Sequence, residues 1–192
     1  MEPDANELMG RARSGNQAAA AELIGLFYER VYAFLRRLTA NDEDAADLTQ
    51  RTFARVWQAL PSFEGRSSVS SWIHSIAYHA YVDWRRADRH TEPRSNQWWA
   101  ARPAAESQPD EIVAHTDMAA TVYGTVHELE PDQRDTVQLH YYQDLTLQET
   151  ADAMGVATST VKYRLRQALG ELQKKLASNR TAPASPPTLS LI

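Results

Sequence analysis

Residues 144–166, DLTLQETADAMGVATSTVKYRLR, decide the fold, and the rest of the chain is read outward from them. Thr146 and Glu149 have the Thr-x-x-Glu spacing of a capping box, in which each side chain satisfies the other's backbone N–H at a helix start. Ala151 is small where two helices must cross closely. Gly155 can take the left-handed conformation that ends a helix and turns the chain. Thr158 is expected to cap a second helix, with Val161, Leu165, Leu169, Leu172 and Leu176 as its buried stripe. This is the pattern of a helix-turn-helix, whose second helix lays its N-terminal residues on base edges in the major groove. Lys162, Tyr163, Arg166 and Gln167 then project away from the stripe. Lys and Arg donate to guanine acceptors and Gln pairs with adenine, so these are candidate base readers. Ser159, Thr160 and Arg164 are placed for phosphate contacts, which set register. A plain helical hairpin with a solvated basic face is the competing reading. The ordered succession of capping box, glycine turn and basic helix disfavours it.

Upstream, Leu23, Phe27, Val31, Phe34 and Leu38 recur at three- and four-residue steps, one face of an amphipathic helix. Asn41-Asp42-Glu43-Asp44 interrupts that face and offers capping side chains for the next helix. Phe53, Val56, Trp57 and Leu60 mark its stripe, which Pro61 ends. A polar loop from Ser62 to Ser68, containing Gly65, leads to a third helix. There Trp72, Ile76, Ala80 and Trp84 share a face, with Ile73, Ala77 and Tyr81 beside it. Between Ala87 and Asp110 the periodicity fails, and Pro93, Pro103 and Pro109 punctuate a stretch that reads as an interdomain linker. Trp98-Trp99 within it is read as a clamp onto one domain or a partner contact. Periodicity resumes at Ile112 and runs to Leu176, and the proline-bearing tail from Ser178 reads as disordered. The expected architecture is all-α: two small helical domains joined by a flexible linker, the C-terminal one with the helix-turn-helix. The boundaries expected are an N-terminal segment 1–19, a first domain 20–90, a linker 91–111, a second domain 112–177 and a tail 178–192.

Composition narrows the function. The 192 residues contain no cysteine, which removes disulfides, thiolate zinc sites and cysteine nucleophiles. No stretch approaches the roughly 20 apolar residues of a membrane span. The first residues lack the basic-then-apolar order of a secretory signal. A cytoplasmic protein is expected. The formal net charge is −5, which sits badly with an autonomous DNA binder relying on phosphate neutralisation. A partner in DNA binding is therefore expected. His74 and His79 are five apart, not the four that would align them as ligands on one helical face, so no metal site is expected. No glycine-rich phosphate loop and no nucleophile–base arrangement stands out, so neither a cofactor nor an enzymatic activity is expected.

Residues 42–60 (DEDAADLTQRTFARVWQAL), the loop Ser62-Phe63-Glu64-Gly65-Arg66 and residues 72–86 (WIHSIAYHAYVDWRR) closely resemble the first domain of extracytoplasmic-function (ECF) sigma factors. The helix-turn-helix, including the run from Thr160 to Leu165, resembles their second domain. The resemblance covers residues 20–90 and 112–176. It implies a non-enzymatic initiation factor that binds core RNA polymerase through the β′ coiled coil and the β flap, reads −10 and −35 promoter DNA and promotes melting. It admits an anti-sigma factor as a further partner and implies no membrane insertion. For polymerase binding it implies Asp47, Gln50, Phe53 and Trp57, a hydrophobic anchor with polar neighbours. For −10 capture of an unstacked base it implies Phe63, Trp72, Tyr78, His79 and Asp83, since single-strand binding uses aromatic faces and polar edges. Arg85, Arg86 and Arg89 would contact phosphates. The helix-turn-helix would read the −35 element. The chain departs from the family's usual residues at Arg51 (Glu), His79 (Asn) and Gln167 (Arg), so its promoter preference should differ at the last two.

Two other readings compete. One is a helix-turn-helix regulator that binds duplex DNA without polymerase, usually as a dimer. The other is a sigma-like adaptor that binds polymerase but does not melt promoters. Promoter-specific run-off transcription with core polymerase separates them.

Overall fold

The computed structural model of the chain describes residues 4–88 and 121–181, and every regular element among them is helical. The N-terminal half comprises α1 (Ala5–Arg13), α2 (Gln17–Thr39), α3 (Asp42–Ala59), a 3-10 turn (Leu60–Ser62) and α4 (Val69–Asp88). The C-terminal half comprises α5 (residues 121–127), α6 (Pro131–Val137), a π turn (Gln138–Tyr142), α7 (Leu147–Met154) and α8 (Thr158–Thr181). The expected linker with Trp98-Trp99 lies outside the described residues, as does the chain beyond Thr181, but residues 178–181, expected in a disordered tail, continue α8.

Local chemistry sets the helix starts. Asp4 accepts from the Asn6 N–H at α1, and Asn16 accepts from the Ala19 N–H at α2. Asn41 accepts from both Glu43 and Asp44 at α3, whose acidic first turn also suits the positive end of the helix dipole. The α1 helix falls in the segment to which the sequence assigned no element. Its nine residues are too few to display periodicity, yet Leu8, Met9 and Ala12 are buried beneath it.

Leu23, Phe27, Val31, Phe34 and Leu38 of α2 form the centre of the N-terminal core, together with Leu48, Phe53 and Val56 of α3. On α4 the burial differs from the expected stripe. Ile73, Ala77, Ala80 and Tyr81 are buried, while Trp72, Ile76 and Trp84 are only partly so. The reason is that α4 is covered from two sides, by α2 and α3 on one and by α7 on the other.

The helix-turn-helix forms largely as its sequence dictates. The capping box of Thr146 and Glu149 is complete, and Gly155 ends α7 at φ 66°. Ala151 is 1% exposed where α7 meets α8. Two details are corrected. Thr158 is the first residue of α8 rather than its cap, and its hydroxyl donates to the Gln148 side chain at 2.8 Å. The buried stripe runs Val161, Leu165, Ala168, with Leu172 partly buried, leaving Leu169 41% exposed. A spacing of four, three and four follows the helical repeat more closely than one of four, four and three at this contact.

The two halves are not held apart. Leu139, Leu145 and Ala153 of the C-terminal half join the hydrophobic cluster of the N-terminal half, with Met154 packed against it. The C-terminal half keeps a core of its own, built on Val126, Leu129, Val137, Ala151, Val161, Leu165 and Ala168, so the two expected domains are present and packed against each other.

Candidate nucleic-acid and polymerase interfaces

The recognition helix presents a clean face. Ser159, Lys162, Tyr163, Arg166 and Gln167 are all exposed, at steps of three and four along α8, opposite Val161, Leu165 and Ala168. Tyr163 is 60% exposed, far more than an aromatic with a packing role. Thr160 is half-buried. Arg164 is not free for a phosphate, because it is paired with Asp132 of α6 and only 19% of its side chain is exposed. That pair fixes α8 to α6 and leaves Lys162 and Arg166 as the cations on the face.

The loop after the 3-10 turn makes a shallow cavity of about 160 Å³ lined by Ser62, Phe63, Glu64, Arg66, Ser67 and Trp72. Phe63 and Trp72 meet at 5.0 Å between ring centres, tilted by 54°. The sequence placed Phe63 in the loop away from the core. It is 8% exposed and belongs to the core cluster, so little of its ring is open to the cavity that it lines. Gly65, at φ 73°, supplies the left-handed residue that lets the loop turn over the cavity.

The remaining −10 candidates separate into two sets. His79, Asp83 and Arg86 are exposed on α4. His79 donates from Nδ1 to the Ser75 carbonyl at 2.7 Å, which leaves Nε2 as an acceptor pointing outward, and Asp83 pairs with Arg55 at 3.5 Å. Tyr78 and Arg85 are turned inward. Tyr78 is 6% exposed, and burial raises its hydroxyl pKa. Arg85 pairs with Asp135 of α6 at 3.2 Å and lies over the Tyr81 ring at 5.3 Å. Arg89 lies outside the described residues.

On α3, Asp47 and Gln50 are exposed, Asp47 being paired with Arg51 at 2.7 Å, and Trp57 is 42% exposed. Phe53 is corrected to a core residue at 6% exposure, stacked on Tyr28 at 5.8 Å. Tyr28, 39% exposed, carries that stack to the surface and was not anticipated, because its neighbour on α3 is distant in sequence.

The seam between the halves is chemically specific and was invisible in the sequence. Asp135 is fully buried; burial pushes its pKa up to about 6 against the pull of Arg134 and Arg85. Arg134 donates to the Tyr81 hydroxyl at 3.2 Å, and Arg30 to the Gln143 carbonyl at 3.5 Å. Arg37 sits over the Tyr142 ring at 4.9 Å. Ser68, at the end of the cavity loop, donates to Glu149 at 2.6 Å. Burial alone would raise the Glu149 carboxyl, but hydrogen bonds from Ser68 and Thr146 outweigh it and hold the pKa below its ordinary value.

Comparison with known proteins identifies both halves. Sigma-70 region 2 matches residues 23–91, and Sigma-70, region 4 matches residues 126–174. The ECF RNA polymerase sigma factor RpoE of Cereibacter sphaeroides is 30% identical over 165 residues, covering 84% of this chain and 88% of that protein. The chain belongs to the ECF family of RNA polymerase sigma factors. The RNA polymerase sigma factor YlaC of Bacillus subtilis is similarly close, 29% identical over 83% of this chain and 92% of its own length. Among solved structures, CnrH in complex with the cytosolic domain of CnrY has a TM-score of 0.66 at 22% identity, covering 92% of this chain and 99% of that one. RpoE of Bartonella quintana, solved with the anti-sigma factor NepR, has a TM-score of 0.63 at 24% identity, covering 81% of this chain and 94% of that one. These two likenesses show the fold. As an ECF sigma factor the chain binds core RNA polymerase and directs it to promoter DNA, and a regulator working without polymerase is not favoured. No described helix is long and apolar enough to cross a membrane.

Proposed function

We propose that this sigma factor divides promoter reading between its halves, acting as a non-enzymatic cytoplasmic subunit of polymerase. The domain boundaries at 20–90 and 112–177 follow this division. Lys162, Tyr163, Arg166 and Gln167 read −35 base edges, with Ser159 and Thr160 on phosphates. Their shared exposed face on α8 is the observation that carries the reading. Arg164 instead anchors the helix through Asp132. The cavity of Phe63 and Trp72 takes an unstacked −10 base, with His79 as its polar edge and Arg86 on the backbone. Tyr78 and Arg85 serve that surface only when the C-terminal half is not on them. The exposed α3 face of Asp47, Gln50 and Trp57, extended by Tyr28, docks on polymerase. The anti-sigma factor bound to the Bartonella quintana relative makes an anti-sigma partner part of the proposal.

Run-off transcription with core polymerase tests the reading. The wild-type chain should initiate from a cognate promoter, and Lys162→Ala/Arg166→Ala should lose that initiation while still binding core polymerase. Promoter-specific initiation that survives loss of both cations would overturn the −35 assignment.

A further inference from the structure

We infer that the hollow at the C-terminal end of α3, between Trp57 and the α1–α2 turn, is a socket for one uncharged apolar side chain of polymerase, carried on a helix that packs along α3. The inference rests on the α3 docking assignment just made and brings α1 into the docking surface.

Spacing along α3 gives the first argument. Glu43, Asp47, Gln50, Ala54, Trp57 and Pro61 are all exposed. They stand at alternating steps of four and three, the spacing that keeps one stripe facing a helix running beside it. The stripe is graded, with carboxylates at Glu43 and Asp47 and apolar groups at Ala54, Trp57 and Pro61. Ala54 is small where the partner's backbone comes closest. A helix laid on this stripe with its cations toward Asp47 passes Trp57 about 15 Å further on, at roughly 1.5 Å per residue. The hollow is what it meets next.

The hollow itself gives the second argument. Its volume is about 200 Å³, and Ala12, Gly15, Ala20, Trp57, Leu60 and Pro61 form most of its wall. An apolar cavity of about 150 Å³ takes a benzene ring, so there is room for a single group the size of a leucine or phenylalanine side chain. Asn16 and Gln17 complete the lining, so no lining residue is charged. Asn16 Oδ1 already accepts from the Ala19 N–H at 3.0 Å. A charged side chain entering there would lose its water and gain no opposite charge, whereas an apolar one would cover the Trp57 ring. Trp57, 42% exposed, is the kind of half-open aromatic on which interface energy concentrates.

The third argument is that the socket is preformed. The Asn16 N–H donates to the Arg11 carbonyl at 3.2 Å and the Gly15 N–H to the Ala12 carbonyl at 3.0 Å, a paired closure of the α1 end that Gly15 permits at φ 87°. Leu8 and Met9, both 2% exposed, pin α1 to the core. A wall held in place beforehand needs no ordering when the partner arrives.

Titration of the labelled full-length chain with core polymerase, without DNA, tests the socket. Ala12→Leu fills it from the wall, and Gln17→Glu sets a carboxylate at its rim without adding bulk. Filling buries apolar surface, and a carboxylate suits the first turn of α2, so both variants should keep the wild-type thermal midpoint or exceed it. Ala12→Leu should nevertheless weaken polymerase binding about tenfold or more, and Gln17→Glu several-fold. A hollow that is only a packing defect would show the same midpoints with wild-type affinity, and that result would overturn the socket. If Ala12→Leu lowers the midpoint, Gln17→Glu alone decides, since Gln17 is exposed and the change is isosteric. Asp47→Ala/Gln50→Ala, on the stripe but outside the socket, separates the two levels of the reading. Wild-type affinity in that variant would mean that polymerase does not dock on α3, and the socket falls with the docking face. Weakened binding there, beside wild-type affinity in both socket variants, would leave the docking face standing and remove the socket.

Discussion

At the scale of the residue, position on a helix decides role more than residue type does. Lys162 and Arg164 are both cations on α8, yet Lys162 is exposed while Arg164 is held by Asp132. Lys162→Ala and Arg166→Ala should therefore each cost about 1–3 kcal/mol at one or two −35 positions. A saturation library of −35 variants measures this, and uniform weakening across the library would mean phosphate contacts instead. Phe63 changes role for the same reason. Its burial means that Phe63→Ala should lose about 3 kcal/mol of stability through the cavity left behind, so melting defects in that variant must be read against denaturant unfolding. His74 shows what burial does to a titrating group. Its Nδ1 donates to the Ser70 carbonyl at 2.7 Å, and burial lowers its pKa to about 4, with the Ser70 bond opposing. A depressed pKa means stability that is full above the unfolded value near 6.5 and is lost as pH falls toward the folded one. Between pH 7.5 and 5 this group should withdraw about 2 kcal/mol. Asp135, with its raised pKa, runs the other way over that range and returns about 1 kcal/mol. Urea unfolding of wild type and His74→Gln at the two pH values separates them: the variant should lose about 2 kcal/mol less on acidification, and equal losses would refute the assignment.

At the scale of the element, what was legible is what is written locally. The capping box, the glycine turn and the stripe of α2 are all spacings within one helix or across one turn, and all formed; of the α3 stripe, Phe53, Val56 and Leu60 are buried while Trp57 is not. Gly155, at φ 66°, should tolerate alanine poorly: Gly155→Ala should cost about 1 kcal/mol from the left-handed backbone alone, because nothing lies near enough for the added methyl to clash. Thermal unfolding checks this, and an unchanged midpoint would mean the turn relaxes. The candidate site was legible to the same depth. The exposed face of α8 follows from periodicity once its buried stripe is known. The fates of Phe53, Tyr78 and Arg85 do not, because each is fixed by an element distant in sequence: Tyr28 of α2 against Phe53, and Asp135 against Arg85 fifty positions away. The misplaced α4 stripe has the same origin. A helix covered on one side shows a simple period, whereas a second cover from α7 buries a second set of positions. Nothing local announces that second cover.

At the scale of the whole molecule, the packing of the two halves and the net charge bear on how the chain meets DNA. Cleavage between Ala87 and Asp110, which the proline-rich non-periodic sequence predicts, should give two fragments that co-elute on gel filtration, because Leu139, Leu145 and Ala153 pack into the N-terminal cluster. Separate elution would show that the seam does not hold without the covalent link. Promoter binding by the free chain should be weak for two independent reasons. The net charge of −5 repels the phosphate backbone overall, and with Arg164 paired internally the recognition face keeps Lys162 and Arg166 as its exposed cations. A face with so few cations neutralises little of the phosphate backbone, and binding through it alone lies in the nonspecific range of roughly 10⁻⁴–10⁻⁶ M. Holoenzyme adds the contacts of polymerase, so its affinity for the same promoter should be at least a thousandfold greater, the lower end of the usual specific-to-nonspecific ratio. Fluorescence anisotropy with labelled promoter duplex between 50 and 200 mM salt measures both species. Tight, sequence-specific, salt-resistant binding by the isolated chain would contradict the dependence on polymerase, and would mean that the −35 face reads DNA unaided.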